Sequence, residues 1–261
     1  MDKEYQLYIS FPRGYSIKDS TKYPVLYVLD GLYRFPEFKS ARECMDFDKE
    51  LEDFIIVGLG SGIDFVSWNT NRKYDFTPSE DTIYDRQKEK EACLKNGLDW
   101  NLCKGTLHSG GAEKFLRCIT TEIIPFVDKH YKTTNDRGIT GHSLGGLFTA
   151  WCFLNSKGLF NRYGINSPSF WWDNKKTLTQ AELLFNKNET WDIPSTKVFI
   201  SVGEKEGSTM VPDMVKFNHL LESKANKNVS VYSHQFQGET HNSVIPVSLK
   251  RTILVLYGKE K

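Results

Sequence analysis

Three residue types in this chain could do chemistry together if the fold joins them: a serine, a histidine and a carboxylate. The serine is Ser143, in Asp136-Arg-Gly-Ile-Thr-Gly-His-Ser-Leu-Gly-Gly146, where Gly141, His142, Ser143, Leu144 and Gly145 form Gly-x-Ser-x-Gly. A short strand pattern, Gly138 to Thr140, precedes it, and an apolar helical run, Leu147 to Leu154, follows. Strand, tight turn and helix are the setting in which this pattern exposes a serine hydroxyl as a nucleophile. So tight a turn calls for flanking residues almost without side chains, which glycine supplies. The start of the helix adds N–H groups and a partial positive charge where an oxyanion would form. The pattern alone arises by chance in many chains; strand, helix and the further glycine Gly146 separate it from an ordinary Gly-Ser turn.

A serine hydroxyl is a poor nucleophile near neutral pH and needs a base to take its proton. That base needs a third group to fix its tautomer and stabilise the imidazolium. In an open parallel sheet both must come from loops at the carboxyl ends of strands. Of six histidines, His130 ends a helix, His219 lies within one and His234 lies within a strand; His142 is expected to point away from the serine beside it. His108, in a long irregular segment, is a distant second to His241, which follows the last strand in a polar loop. For the acid, Gly203-Glu-Lys-Glu206 offers Glu206, preferred because Gly-x-x-acid lets the chain turn before the carboxylate points back. Glu204, Asp173 or a Ser-His pair with no acid are the alternatives, and these glutamates could instead only cap the next helix. The order Ser, Glu, His is that of α/β hydrolases. Leu144 and Leu32 are the expected backbone N–H donors to an oxyanion, Leu32 from the loop after a strand ending at Leu29.

The elements that must position these groups follow from hydrophobic patterning. Tyr5 to Phe11 alternates like a strand, while Tyr23 to Leu29 and Asp53 to Leu59 read as buried strands around a helix from Pro36 to Leu51. Ala112 to Tyr131 is helical, with Pro125 expected to kink it. Strands follow at Phe160–Ile165, Lys197–Val202 and Val229–Phe236, with helices at Val211–Ala225 and Ser243–Tyr257. Alternating strands and helices predict an α/β fold: a mainly parallel central sheet with helices on both faces. From Gly60 to Gly111 the pattern breaks, so residues 60–111 are expected to be a lid-like insertion within one domain of residues 1–261. Its charged patch, Arg86 to Glu91, reads as a solvated helix or loop.

Composition narrows the function classes. A net charge of +1 gives no reason to expect nucleic acid or an anionic membrane as partner, and no run approaches a transmembrane length. The first residues lack the apolar core of a signal peptide but begin almost inside a strand pattern, leaving room for an upstream piece. The compartment is accordingly open: cytoplasmic by default, periplasmic or secreted where a signal has been removed. Five irregularly spaced cysteines argue against a disulfide framework or zinc site, although Cys93 and Cys103 share a polar segment and could pair.

Tyr23-Pro-Val-Leu-Tyr-Val-Leu-Asp-Gly31, Arg72-Lys-Tyr-Asp-Phe-Thr-Pro78, Gly111-Ala-Glu-Lys-Phe115, Gly141-His-Ser-Leu-Gly-Gly146 and Ser167-Pro-Ser-Phe-Trp-Trp172 also carry a family resemblance. In this order, from about Tyr5 to Val247, they resemble the Putative esterase family of α/β hydrolases. That group takes in siderophore (enterobactin-type) esterases, feruloyl esterases and esterase D. The siderophore-esterase branch is most similar, through the Arg72–Pro78 and Ser167–Trp172 stretches. The resemblance implies a serine ester hydrolase with no metal or cofactor, acting on a small-molecule ester. The segment between Pro78 and Gly111 departs from the family in its charged, cysteine-containing sequence, which leaves the substrate more open than the chemistry. Alternatives are a feruloyl or acetyl esterase on polysaccharide, and a non-catalytic binding protein that kept the fold. Trp171 and Trp172 either wall a pocket or simply pack; Arg72 either binds an anionic group or pairs with Asp75 to brace its loop.

Overall fold

The computed structural model describes residues 3–100, 107–186, 193–224 and 228–259. One seven-stranded sheet runs through them, in the order β1-β3-β2-β4-β5-β6-β7. Its strands are β1 (Gln6–Ser10), β2 (Tyr23–Val28), β3 (Ile55–Gly60), β4 (Thr133–His142), β5 (Arg162–Asn166), β6 (Thr196–Gly203) and β7 (Val229–Phe236). Only β1 is antiparallel, pairing Gln6 with Gly60 and Ser10 with Ile56; every other pairing is parallel. This is the arrangement of an α/β hydrolase.

The central strands have both faces buried, so their residues divide by parity between two cores. Val25 and Tyr27 of β2 join Phe115, Phe148 and Tyr163 on one face. Leu26 and Val28 join Phe38, Phe199, Leu249 and Ile253 on the other. Helices α1 (Gly31–Phe47) and α9 (Ile245–Tyr257) cover the second face. The first is covered by α4 (Ala112–Cys118), α6 (Leu144–Asn155), α7 (Trp172–Asn186) and α8 (Gly207–Lys224).

Three expectations change. Helix α1 begins at Gly31, just after β2, and runs through Pro36. A Cβ at Gly31 would lie 2.7 Å from backbone atoms of Gly58 and Leu59, so glycine lets the helix start press against β3 with only Leu29 and Asp30 between it and β2. The described part of segment 60–111 carries two helices, α2 (Phe65–Phe76) and α3 (Thr82–Lys95), and the charged patch lies on α3. Asp64 caps α2 through a reciprocal box with Ser67, a signal hidden in sequence because serine takes the usual Glu/Gln position. Pro125 sits at the start of α5 (Ile124–His130), preceded by a π-helical turn, Ile119–Ile123. The wider turn accommodates a proline that has no N–H to give and would crowd the preceding turn's carbonyl. Cys103, and with it a Cys93–Cys103 pairing, lies outside the described residues.

Candidate active site

At the carboxyl end of β4 the chain turns at Ser143, whose φ of 63° and ψ of −119° are rarely adopted by a residue with a side chain. Such a conformation costs on the order of 1–3 kcal/mol and persists only where the surroundings fix it. Here they do. Ser143 N–H donates to Asn166 O at 3.1 Å, and its carbonyl accepts from Leu147 N at 2.9 Å and Ser169 N at 3.1 Å. Beneath the turn, Ser201 Oγ and Thr252 Oγ1 both donate to Asn166 Oδ1, at 2.8 and 3.1 Å.

The glycines of the pattern are not equally constrained. A Cβ on Gly141 would lie 2.5 Å from Gly145 backbone, and one on Gly146 would lie 2.4 Å from Asn166 O. A Cβ on Gly145 meets nothing closer than Asp30 Oδ2 at 3.5 Å. The steric demand expected at Gly145 is thus met one residue later, where α6 crosses the end of β5.

Two loops away, His241 Nδ1 and Glu206 Oε2 are 2.7 Å apart. Glu206 has no exposed side-chain surface while His241 is 35% exposed. With a carboxylate on Nδ1, that nitrogen carries the proton and Nε2 is the basic one. Burial pushes the Glu206 carboxyl up, but hydrogen bonds from His241, Ser167 and the Gly203 N–H, with the His241 charge, hold it below its ordinary value. Glu204 does another job: its Oε2 accepts from Gly238 N–H at 2.7 Å, tying the turn after β6 to the loop that carries His241. Asp173 pairs with Lys176, and His108 lines cavities away from Ser143.

His142 lines a small cavity with Arg34, Phe38, Ile245 and Leu249, separate from the cleft that Ser143 lines, and its ring lies against that of His241, with centroids 4.6 Å apart, which places His241 beside the Ser143 turn. Both His142 ring nitrogens are buried and meet no hydrogen-bond partner among the described residues. Burial, reinforced by His241, Arg34 and Arg72, holds this imidazole well below its ordinary value and therefore neutral.

Leu144 and Leu32 each lie in the first turn of a helix, α6 and α1, where N–H groups have no intrahelical acceptor. The two helix starts adjoin through Asp30, a buried residue in the left-handed region (φ 56°). Arg72 grips its carboxylate with Nε on Oδ1 at 2.7 Å and Nη2 on Oδ2 at 2.9 Å, and Trp68 Nε1 donates to Oδ1 at 2.8 Å. Arg72 therefore braces, but against Asp30; Asp75 is taken by Lys3 and Tyr5. Asp30 was legible in sequence only as part of a turn.

Ser143 and Leu144 open onto a cleft of about 820 Å³ lined by Phe65, Tyr84, Leu98 and Trp171 among others, with Lys88 and Lys95 beside Glu89 and Glu91. Trp171 is a wall of this cleft. Trp172 is not: it is 2% exposed and its Nε1 donates to Ser79 O at 3.0 Å, packing under the α2–α3 segment.

The model of the family described as "Putative esterase" matches residues 1–94 and 99–244, most of the chain. The chain belongs to this esterase family. Among relatives of this esterase, ferri-bacillibactin esterase BesA of Bacillus subtilis is 26% identical over 97% of the chain and 84% of its own length. A siderophore enterobactin esterase of Emericella nidulans is 26% identical over 78% of the chain and 66% of its own length. The solved structure of the BES protein from Bacillus cereus is 30% identical and superposes with a TM-score of 0.78, covering 97% of the esterase and 89% of that chain.

Proposed function

We propose that this esterase hydrolyses ester bonds of a siderophore through an acyl-enzyme on Ser143. The observation that carries the mechanism is the 2.7 Å Glu206–His241 contact, held beside the Ser143 turn by the ring packing of His142. His241 Nε2 takes the proton as Ser143 Oγ attacks the ester carbonyl, and returns it to the departing alcohol. Glu206 keeps Nδ1 protonated and offsets the imidazolium charge. The N–H groups of Leu144 and Leu32 are assigned to the oxyanion, a donor of this kind typically lowering the barrier by about 3 kcal/mol. His241 then deprotonates a water, whose oxygen attacks the acyl carbon; the acyl–Oγ bond breaks, and the proton passes from His241 to Ser143 Oγ as the acid is released. The substrate reading rests on the relatives named above and on the cleft, which Tyr84, Trp171, Lys88 and Lys95 line together, side chains of the kinds suited to anionic catecholate rings.

The test is product analysis on a cyclic tris-catecholate trilactone, iron-free and iron-loaded, beside feruloyl and short acyl esters. Wild type, Ser143→Ala and His241→Ala are compared, with fluorophosphonate labelling of each. The expected result is opening of the trilactone and labelling by wild type, neither by the serine variant, and slow labelling of the histidine variant. Cleavage of feruloyl esters with the trilactone untouched would move the substrate to polysaccharide-linked phenolic esters. A folded wild type that neither labels nor hydrolyses any of the panel would leave a binding protein.

A further inference from the structure

Ser167 has two observations against it and one in its favour. It follows β5 with a φ of 43°, in the left-handed region where residues with a Cβ are rarely found. It also precedes Pro168, and a residue in that position ordinarily takes an extended backbone. Glycine would relieve the first strain at no steric expense. Yet the chain has serine, fully buried, with its N–H donating to Ser201 O at 2.7 Å. What the side chain contributes is one contact: Ser167 Oγ donates to Glu206 Oε1 at 2.6 Å.

That contact bears on which way the carboxylate faces. Gly203 N–H also donates to Oε1 at 2.6 Å. The two donors fill one oxygen and turn the other, Oε2, onto His241 Nδ1. A carboxylate held by the Gly203 N–H alone could rotate about its last torsion and exchange its oxygens, because such terminal torsions are broad. A hydroxyl from a different strand loop removes that freedom.

We propose that Ser167 is a positioning residue for the reaction, holding Glu206 in the orientation that directs Oε2 to His241, and that this hydrogen bond is why serine occupies a left-handed position before proline. The inference rests on the assignment of Glu206 and His241 as acid and base. Ser167 does not line the cleft and its hydroxyl is spent on Glu206, so its side chain acts through Glu206.

The experiment compares wild type, Ser167→Gly, Ser167→Ala, Glu206→Ala and the Ser167→Gly/Glu206→Ala double variant. It measures kcat and KM on a short-acyl aryl ester, thermal midpoints, and titration of the Glu206 carboxyl carbon by NMR. Ser167→Gly should melt no lower than wild type yet lose about tenfold in kcat, the scale of one hydrogen bond to a charged group, with KM unchanged. Without Glu206 the same substitution should change kcat by less than about twofold. The Glu206 carboxyl should titrate at higher pH in both Ser167 variants, because a donor to its ionised form is gone. A drop in kcat that persists without Glu206, or an unmoved Glu206 titration, would overturn the proposal. Should wild type hydrolyse nothing, the functional reading fails, while the carboxyl titration still decides whether Ser167 orients Glu206. Should Glu206→Ala keep full kcat, the acid assignment fails, and with it any catalytic role for Ser167.

Discussion

The turn after β4 and the α2–α3 segment face each other across the cleft and are held in place by different means. The turn rests on main-chain hydrogen bonds and on a buried polar cluster between the sheet and α9, Asn166, Ser201 and Thr252. The α2–α3 segment exposes Ile63, Phe65, Val66 and Ile83. It is attached to the rest of the fold by side chains: Arg72 and Trp68 on Asp30, Lys3 and Tyr5 on Asp75, and Trp172 against Ser79. Groups that must be placed to a fraction of an ångström sit on the rigid element, and groups that select among substrates sit on the one that side-chain changes can reshape. The Arg72–Asp30 pair is where the two meet, since the same carboxylate adjoins the start of α1, of α6 and the inner face of α2.

Several substitutions would sharpen or break this comparison. The largest effect belongs to the turn. Ser143→Ala should lower kcat on an aryl ester by about 10⁴-fold or more and leave the urea midpoint unchanged or higher, because the hydroxyl is needed for chemistry and not for folding. A rate loss matched by a stability loss would mean that Ser143 is structural. Next is the junction. Arg72→Ala strands the Asp30 carboxylate in a buried site, for which about 3–5 kcal/mol of destabilisation is expected in urea unfolding; a change within the error of the titration would show that α2 is not anchored there. Within the turn, Gly146→Ala should destabilise by about 1–3 kcal/mol, an overpacking penalty, whereas Gly145→Ala should be mild. Equal effects would contradict the crowding described for Gly146.

The smallest expected effect is a pH dependence. The fold holds His142 neutral, its imidazole well below the ordinary 6.5. Below that pH the unfolded chain binds a proton at this position that the native protein refuses. The contribution of His142 is thus present above pH 6.5 and is lost as pH falls below it, by up to about 1.4 kcal/mol per pH unit. Thermal midpoints of His142→Phe should decline less between pH 7 and pH 5 than those of wild type; parallel declines would remove His142 as the cause.

Much of the site was legible in sequence where the requirement is local. Gly-x-Ser-x-Gly between strand and helix, an acid after β6 and a histidine after β7 are short patterns at strand ends, and parallel topology puts strand ends on one edge. Helix α2 was missed, and α3 was left open between helix and loop, because both are charged and weakly amphipathic, fixed by anchors elsewhere and not by an apolar stripe. The start of α1 was misplaced because Pro36 suggested a helix beginning there; only the close approach to β3 explains why it begins at Gly31.

By itself, then, the sequence determined the order of the strands, the sheet's parallel character, and the identities of Ser143, His241 and Glu206 as candidates. Each of these follows from periodicity or from residues close together in the chain. The tertiary structure decided which partner each polar group takes. Arg72 finds Asp30, 42 positions away, and not its near neighbour Asp75; Ser167 finds Glu206 across 39 positions; and His142 turns its ring onto His241. A buried polar group must satisfy itself with whatever donor, acceptor or ring the packed sheet brings within reach, and that choice is made between strands and not along them.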